Sequence, residues 1–447
     1  MQYFPHTSDD IQAMLDVIGV SSLDELYAEI PEELKLHGEL HIPSAKSEME
    51  VRQIVGDMAA ANKPLIPFAG AGAYDHYTPS VIPYITQRSE FSTSYTPYQA
   101  EISQGTLQYI FEYQTMMAAL TGLDVSNASM YDGSTATAEA MMMCVASAKK
   151  RNRVLVSETL QPAVLRVVET YAHYHGVDLV QVPATANGTT DLDAVRSLLD
   201  ADDVAGVVVA QPNRYGIVED YTGLDEHCHA HKALLAMNAM ASSLGVLRSP
   251  GEWGADIACG DAQSLGLPLN FGGPYIGYLC TTKALIRKMP GRLVGQTEDA
   301  DGKRAFVLTL QAREQHIRRE KATSNICTAQ GFMCLCVAAY LALMGKQGLE
   351  DVNALSYAGA HHLHDALLET GLFEEAFPGQ PYLCEFALRY KGHGTLADFR
   401  CHMAAQGFLA GVVDDADNNI LLVAVTEQRS KEQMDRFVAA ATQWAAQ

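Results

Sequence analysis

The stretch Asn127–Ala140, NASMYDGSTATAEA, reads as the end of a buried strand at Met130, a turn at Asp132-Gly133, and a helix that opens on Ser134-Thr135 and runs to about Lys149. A strand, a glycine turn and a Ser/Thr helix start aim several backbone N–H groups at one spot, at the positive end of the helix dipole, where a phosphate can be held. The same residues also read as an ordinary cap, with Asp132 or Ser134 satisfying the first helical N–H groups. In HCHAH, His227 and His231 fall one helical turn apart, as a metal-binding pair would. No third ligand is evident from the sequence, so a surface helix face is the default reading and no metal site is expected. From Arg313 to Lys321, Arg313, Arg318, Arg319 and Lys321 stand against Glu314 and Glu320, a local charge of 4 − 2 = +2 with His316 neutral. Such a patch meets an acidic partner or a substrate carboxylate, or it is a solvated helix with i,i+4 ion pairs. Two other signatures fail. GAGAYD at Gly70–Asp75 lacks the third glycine and the strand–helix context of a dinucleotide fingerprint, and no GxxxxGK[ST] is present.

The elements that must position these residues alternate between strand and helix from about Pro67 to Lys321, the signature of a mostly parallel sheet covered on both faces. Strands are expected at 154–157, 179–182, 206–210, 234–238, 256–259 and 276–280, with helices at 104–120, 134–149 and 161–175. Sites in such sheets lie outside the strand carboxyl ends, so Asp132–Thr135, Gln211-Pro212-Asn213, Asn238 and Gly260–Ser264 should gather on one edge. Before the sheet, Thr7 or Ser8, Ser22 with Glu25, and Ser47 each start a short amphipathic helix. These helices make a poor core alone and are expected to wrap another subunit or the main domain. A chain of 447 residues, 48% apolar, can bury a large core in two or three domains. A net charge of −22 argues against nucleic acid and anionic membranes as partners. The start MQYFPHTSDD has neither a basic region nor an apolar run, so no signal peptide is expected. The apolar run Gly331–Met344 is too short to span a bilayer. Nine cysteines without CxxC pairs fit a reducing, cytoplasmic compartment.

Five longer segments carry a family resemblance over almost the full length: YTPYQAEISQGTLQ (Tyr95–Gln108), NASMYDGSTATAEA, GDAQSLGLPLNFGGPYIG (Gly260–Gly277), MPGRLVG (Met289–Gly295) and QAREQHIRREKATSNICT (Gln311–Thr328). They resemble the P-protein of the glycine cleavage system, a pyridoxal-phosphate-dependent glycine dehydrogenase (decarboxylating). The shortness of the chain matches subunit 1, the alpha subunit of the family's split form. The resemblance implies an α/β fold of the fold-type-I pyridoxal-phosphate-dependent transferase architecture. A helical arm (residues 1–65) would precede a large domain (66–325) with a mostly parallel seven-stranded sheet, followed by a helix and a small C-terminal α+β domain (326–447). The activity implied is decarboxylation of glycine with transfer of the aminomethyl group to an acidic lipoyl H-protein.

A pyridoxal-phosphate enzyme of this kind needs a Schiff-base lysine and a carboxylate on the pyridinium nitrogen. Here LLAMNAMA places Asn238 where the family's fold expects Asp, and GDAQSLGLPLNFGGP, the lysine segment, contains no Lys. Lys283 lies 283 − 238 = 45 residues beyond Asn238. The resemblance therefore implies that pyridoxal phosphate is bound by the lysine-bearing partner, glycine dehydrogenase subunit 2, in a heterotetramer of two alpha and two beta chains. Ser134, Thr135, Asn238 and Ser264 would remain as a degenerate pseudo-site. Tyr95, Tyr98 and Glu101 would be lent to the partner's catalytic site, with Gln99, Gln104, Arg313, His316, Arg318 and Arg319 facing the partner or the glycine substrate. Glu101 would serve as an acid or base if buried; as a carboxylate at a helix start it also simply answers the dipole. The alternative is a structural or regulatory partner of subunit 2 that contributes nothing to the site.

Overall fold

The computed structural model describes residues 5–92 and 95–446. The chain divides into two compact units, Met1–Lys63 and Pro64–Gln447. In the first, Thr7 and Asp10 close a capping box on α1 (Ser8–Ile18), which Gly19 ends at φ 87°. Ser47 and Glu50 do the same for α2 (Glu48–Ala60). The middle helix expected from Ser22 and Glu25 is only a 3-10 turn, Asp24–Tyr27. Ser22 Oγ accepts from Glu25 N–H at 3.4 Å, but the Glu25 carboxylate turns back to the N–H and hydroxyl of Ser21, so the box never closes. Val17, Leu34 and Met49 of this unit are exposed.

The second unit opens with β1 (Ile66–Pro67), α3 (Val81–Thr86), α4 (Gln104–Thr121), β2 (Val125–Ser126) and α5 (Gly133–Ser147). Strands and helices then alternate through β3 (Arg153–Ser157), α6 (Pro162–His175), β4 (Asp178–Val182), α7 (Leu192–Leu199), β5 (Val204–Gln211), α8 (Leu224–Ala230), β6 (Leu234–Ala239), β7 (Ile257–Asp261) and β8 (Gly277–Thr281). They form a seven-stranded sheet in the order β2-β8-β7-β6-β5-β3-β4. Strands β3 to β7 pair in parallel, and β8 runs antiparallel to β7 and β2. The chain moves outward from β3 to β4, then returns to β5 on the other side of β3, and the crevice at the carboxyl ends opens at this reversal. Strand β5, VAGVVVAQ, is buried at every residue because helices cover both faces. On one face α5 and α6 pack Met141, Cys144 and Val168 against Val156 and Val208; on the other, Val195 of α7 and Leu224 and Cys228 of α8 meet Val207 and Leu235.

After the sheet come the hairpin β9 (Leu293–Glu298) and β10 (Arg304–Thr309), α9 (Gln315–Arg318) and α10 (Gly331–Glu369), which breaks at Gly345. By length and composition α10 could cross a membrane. Its Cys334, Val337 and Tyr340 instead enter a core with Leu107, Tyr113 and Met117 of α4. The small C-terminal domain follows as β11 (Phe373–Glu375), β12 (Glu385–Tyr390), α11 (Leu396–Ala405), β13 (Phe408–Leu409), β14 (Val412–Val413), β15 (Ile420–Ala424) and α12 (Lys431–Ala445). Its four-stranded sheet has the order β11-β12-β15-β14, and β13 pairs in parallel with β1.

Candidate active site

A cavity of about 500 Å³ lies at the carboxyl ends of the large sheet, between the start of α5, the end of β6 and the loop after β7. It brings together Ser134, Asn238 and Ser264 with Asp132, Asp261 and Tyr131, and the segment Ala71–Tyr74 lies against it. That segment is a strap. Tyr74 N–H and C=O pair with the Gln263 amide at 2.9 Å each. Its other end is tied to the small domain: Ala71 N–H and Tyr74 O–H donate to the Glu385 carboxylate at 2.6 and 2.7 Å, and Asp75 pairs with Arg429 at 2.6 Å.

Thr135 closes the capping box that Asp132 begins and does not line the cavity. Its N–H donates to Asp132 Oδ1 at 2.8 Å, and its hydroxyl accepts from Asp132 N–H at 3.2 Å. Next to that cap, Asp261 Oδ2 accepts from Gly133 N–H at 3.1 Å, while Oδ1 accepts from Gln263 N–H at 2.7 Å. Burial, helped by the nearby charge of Asp132, raises the Asp261 carboxyl to about 7 against those two N–H groups. The helix start that would cradle a phosphate thus already holds two carboxyl groups. A Cβ added at Gly133 would lie 2.6 Å from Asp261 N, so the approach of the two segments requires glycine. Asn238 Nδ2 donates to Thr137 Oγ1 at 2.6 Å, and Ser264 Oγ accepts from Ser242 N–H at 3.3 Å. Among the described residues, those lining this cavity include no lysine or arginine. Pyridoxal phosphate does not fit them. There is no amine for a Schiff base, Asn238 offers no charge to the ring nitrogen, and Asp261 opposes a phosphate.

A second cavity, of about 330 Å³, is lined by Tyr95, Pro97, Arg292 and Gln330. Arg292 is 5% exposed; its Nη2 donates to the Tyr98 hydroxyl at 2.8 Å and its guanidinium stands 5.3 Å from the Tyr98 ring centroid. Its Nε lies 4.0 Å from Glu314 Oε2, and His316 Nδ1 is 3.7 Å from the same oxygen. Burial raises the Glu314 carboxyl, with Arg292, Arg313 and His316 pulling the other way. Arg292 Nε and Glu314 Oε1 are both buried without a hydrogen-bond partner among the described residues. Buried polar atoms normally find one.

The structure thus gathers Tyr98 and His316 around Arg292 and Glu314, with Tyr95 beside them at the second cavity. Tyr95, Tyr98, Gln99 and Glu101 are exposed, and Glu101 sits in the 3-10 turn Ala100–Ile102. The burial expected of Glu101 is absent from this chain: in its loop Pro97 is buried and Ala100 packs against the core, while Glu101 is exposed. Gln104 does not face outward. Its amide donates to Ala100 O and Phe306 O at 2.8 Å each and accepts from Phe306 N–H at 2.8 Å, clamping α4 to β10. Arg313 is likewise turned inward, donating to Met289 O and, at 2.6 Å, to Gly291 O. The run from Arg313 to Lys321 is no continuous helix. α9 ends at Arg318, Arg319 takes φ 54°, and Arg318, Arg319 and Lys321 are exposed. Asp261 falls on the sheet edge where Gly260–Ser264 was expected, but neither its contact with Gly133 nor the role of Arg292 was singled out from the sequence. Only their place in GDAQS and MPGRLVG marked them.

The mostly parallel sheet, the small α+β domain and a cavity at the strand carboxyl ends define the fold-type-I pyridoxal-phosphate-dependent class. Glutamate decarboxylase of Lactobacillus brevis has this fold, with a TM-score of 0.68 at 13% identity, covering 96% of this chain and 98% of that one. A solved glycine decarboxylase (P-protein) of the glycine cleavage system, in inhibitor-bound form, is similar with a TM-score of 0.90 at 41% identity, covering 99% of this chain and all of that one (100%). "Probable glycine dehydrogenase (decarboxylating) subunit 1" of Carboxydothermus hydrogenoformans is 46% identical over 443 residues, 98% of each chain. The model of the glycine cleavage system P-protein family matches residues 1–440, and the chain belongs to that family.

Proposed function

We propose that this chain is the non-lysine subunit of a glycine-decarboxylating enzyme. A second subunit holds pyridoxal phosphate on its own lysine, and the face around Tyr95–Glu101 completes that subunit's site. The observation that carries this is the cavity at the sheet edge, where Asp261 takes the helix-start N–H of Gly133 and no lysine is present among the lining residues. The relatives named subunit 1 imply such a partner. Two unlike chains in a heterotetramer, a lipoyl H-protein as acceptor and a cytoplasmic setting complete the proposal.

The exposed loop supplies what a partner's site can borrow. Tyr98 accepts from Arg292, so its own O–H proton remains available to donate outward. Arg292 and Glu314 behind it fix the phenol in place. Tyr95 and Glu101 add a second phenol and a carboxylate able to accept a proton. Because both are exposed, Tyr95→Phe and Glu101→Gln should change the stability of this chain by less than about 0.5 kcal/mol. In the reconstituted pair, each should slow exchange of CO2 into glycine at least tenfold, a loss of about 1.4 kcal/mol in transition-state stabilisation. Full activity in both variants would make the chain a scaffold for its partner.

A further inference from the structure

Away from both cavities, at the amino-terminal edge of the sheet, two helices end side by side. Asp200 caps the C-terminus of α7 just before β5, and His231 caps the C-terminus of α8 just before β6. Helix C-termini are the negative ends of their dipoles and favour a cation. His227 Nε2 and His231 Nε2 lie 3.8 and 3.6 Å from the same Asp200 Oδ1. One ligand atom from each of these three residues lies within 4.8 Å of the others. A tetrahedral ion with bonds of about 2.0–2.1 Å sets its ligand atoms about 3.3–3.4 Å apart, so both oxygen–nitrogen pairs are within a few tenths of an ångström of bonding position. His231 Nδ1 is 2.8 Å from Asp202 Oδ1. That bond places the proton on Nδ1 and leaves the Nε2 lone pair facing Asp200, the arrangement a carboxylate gives a metal-bound histidine. Among the described residues, His227 Nε2 has one hydrogen bond to give up, a long one of 3.4 Å to Arg196 O.

We propose that Asp200, His227 and His231 bind one divalent transition ion of the zinc, cobalt or nickel class, with water completing its shell. Two imidazoles and one carboxylate suit these ions better than calcium or magnesium, which prefer oxygen throughout. The ion would staple the end of α7 to the end of α8.

The test uses the full chain, stripped with chelator and with the exposed thiols of Cys327 and Cys401 alkylated. Calorimetric titration with ZnCl2 should give one ion per chain, with affinity falling at least tenfold in Asp200→Asn and in His227→Ala. His229 stands between the two ligands in sequence but bonds Asp256 at 2.9 Å, so His229→Ala should titrate like the unaltered chain. Cobalt(II) should give visible d–d absorption that the first two variants lose. Without any variant, zinc should protect His227 and His231 from diethyl pyrocarbonate. Absent binding, equal binding in His227→Ala, an equal loss in His229→Ala, or unprotected histidines would each overturn the site.

Discussion

At the start of α5, Asp132 caps Thr135 and Asp261 answers Gly133, so two carboxyl groups share the positive end of one helix. Asp261 is raised from 3.8 to about 7, chiefly by burial. An acid whose folded pKa is raised lends stability that is fully present below the unfolded value and lost as pH rises through the folded one. The stability of Asp261→Asn relative to the unaltered chain should therefore rise by about 1–3 kcal/mol between pH 4 and pH 8, on top of a pH-independent cost where the amide NH2 meets one of the two N–H donors, since each tenfold change in proton affinity is worth about 1.4 kcal/mol. Urea unfolding at the two pH values measures it, and an equal difference at both would mean that Asp261 is not a buried, titrating acid. Tyr98→Phe removes a hydrogen bond to buried Arg292 and should cost about 1–2 kcal/mol, a direct stability loss that Glu101→Gln lacks. The missing lysine and Asn238 were legible because each departs from a residue type the chemistry demands at a known place. Asp261 was not, since its meaning lies in a contact with Gly133, 128 residues away.

The strands and helices of the large domain were legible as elements because apolar runs alternate with amphipathic stretches between turns. Asn127–Met130, expected as a strand end, is instead an irregular edge in which Ser129 takes φ 105° and Met130 bridges to Gly277. The hairpin β9–β10 went unseen: its β10 side is only half buried and carries no clean alternation. GAGAYD was legible only as a failed dinucleotide motif. Its glycines serve the strap, whose partners are hundreds of residues distant. A Cβ at Gly70 would fall 2.5 Å from Glu385 Oε1 and from the Tyr74 ring, and 2.9 Å from the Ala424 Cβ. Glu385 is itself raised to about 7 by burial, with Ala71 N–H and Tyr74 O–H opposing the rise. Gly70→Ala should thus cost about 2 kcal/mol or more by overpacking, and hydrogen exchange in residues 70–77 should accelerate with it. Normal exchange there, at unchanged stability, would show that the strap is not held as these contacts require.

For the whole molecule, a net charge of −22 repels an acidic partner at long range, and a local basic patch would have to steer it in. Arg318, Arg319 and Lys321 are exposed in this way, whereas Arg313 is not. Arg318→Gln with Arg319→Gln should slow reaction with lipoyl H-protein several-fold and flatten its salt dependence. Exchange with free lipoate should change much less. A parallel fall in both assays would place the arginines at the subunit junction instead. The central claim, that this chain completes a site whose cofactor is held by another chain, is tested most directly by borohydride reduction of the active complex. The two subunits are then separated and the pyridoxyl-lysine located by mass spectrometry. All of the label should lie on the partner and none on this chain, with this chain purified alone showing no internal Schiff-base absorption. A reduced pyridoxyl group on Lys283, or on any other lysine of this chain, would contradict it.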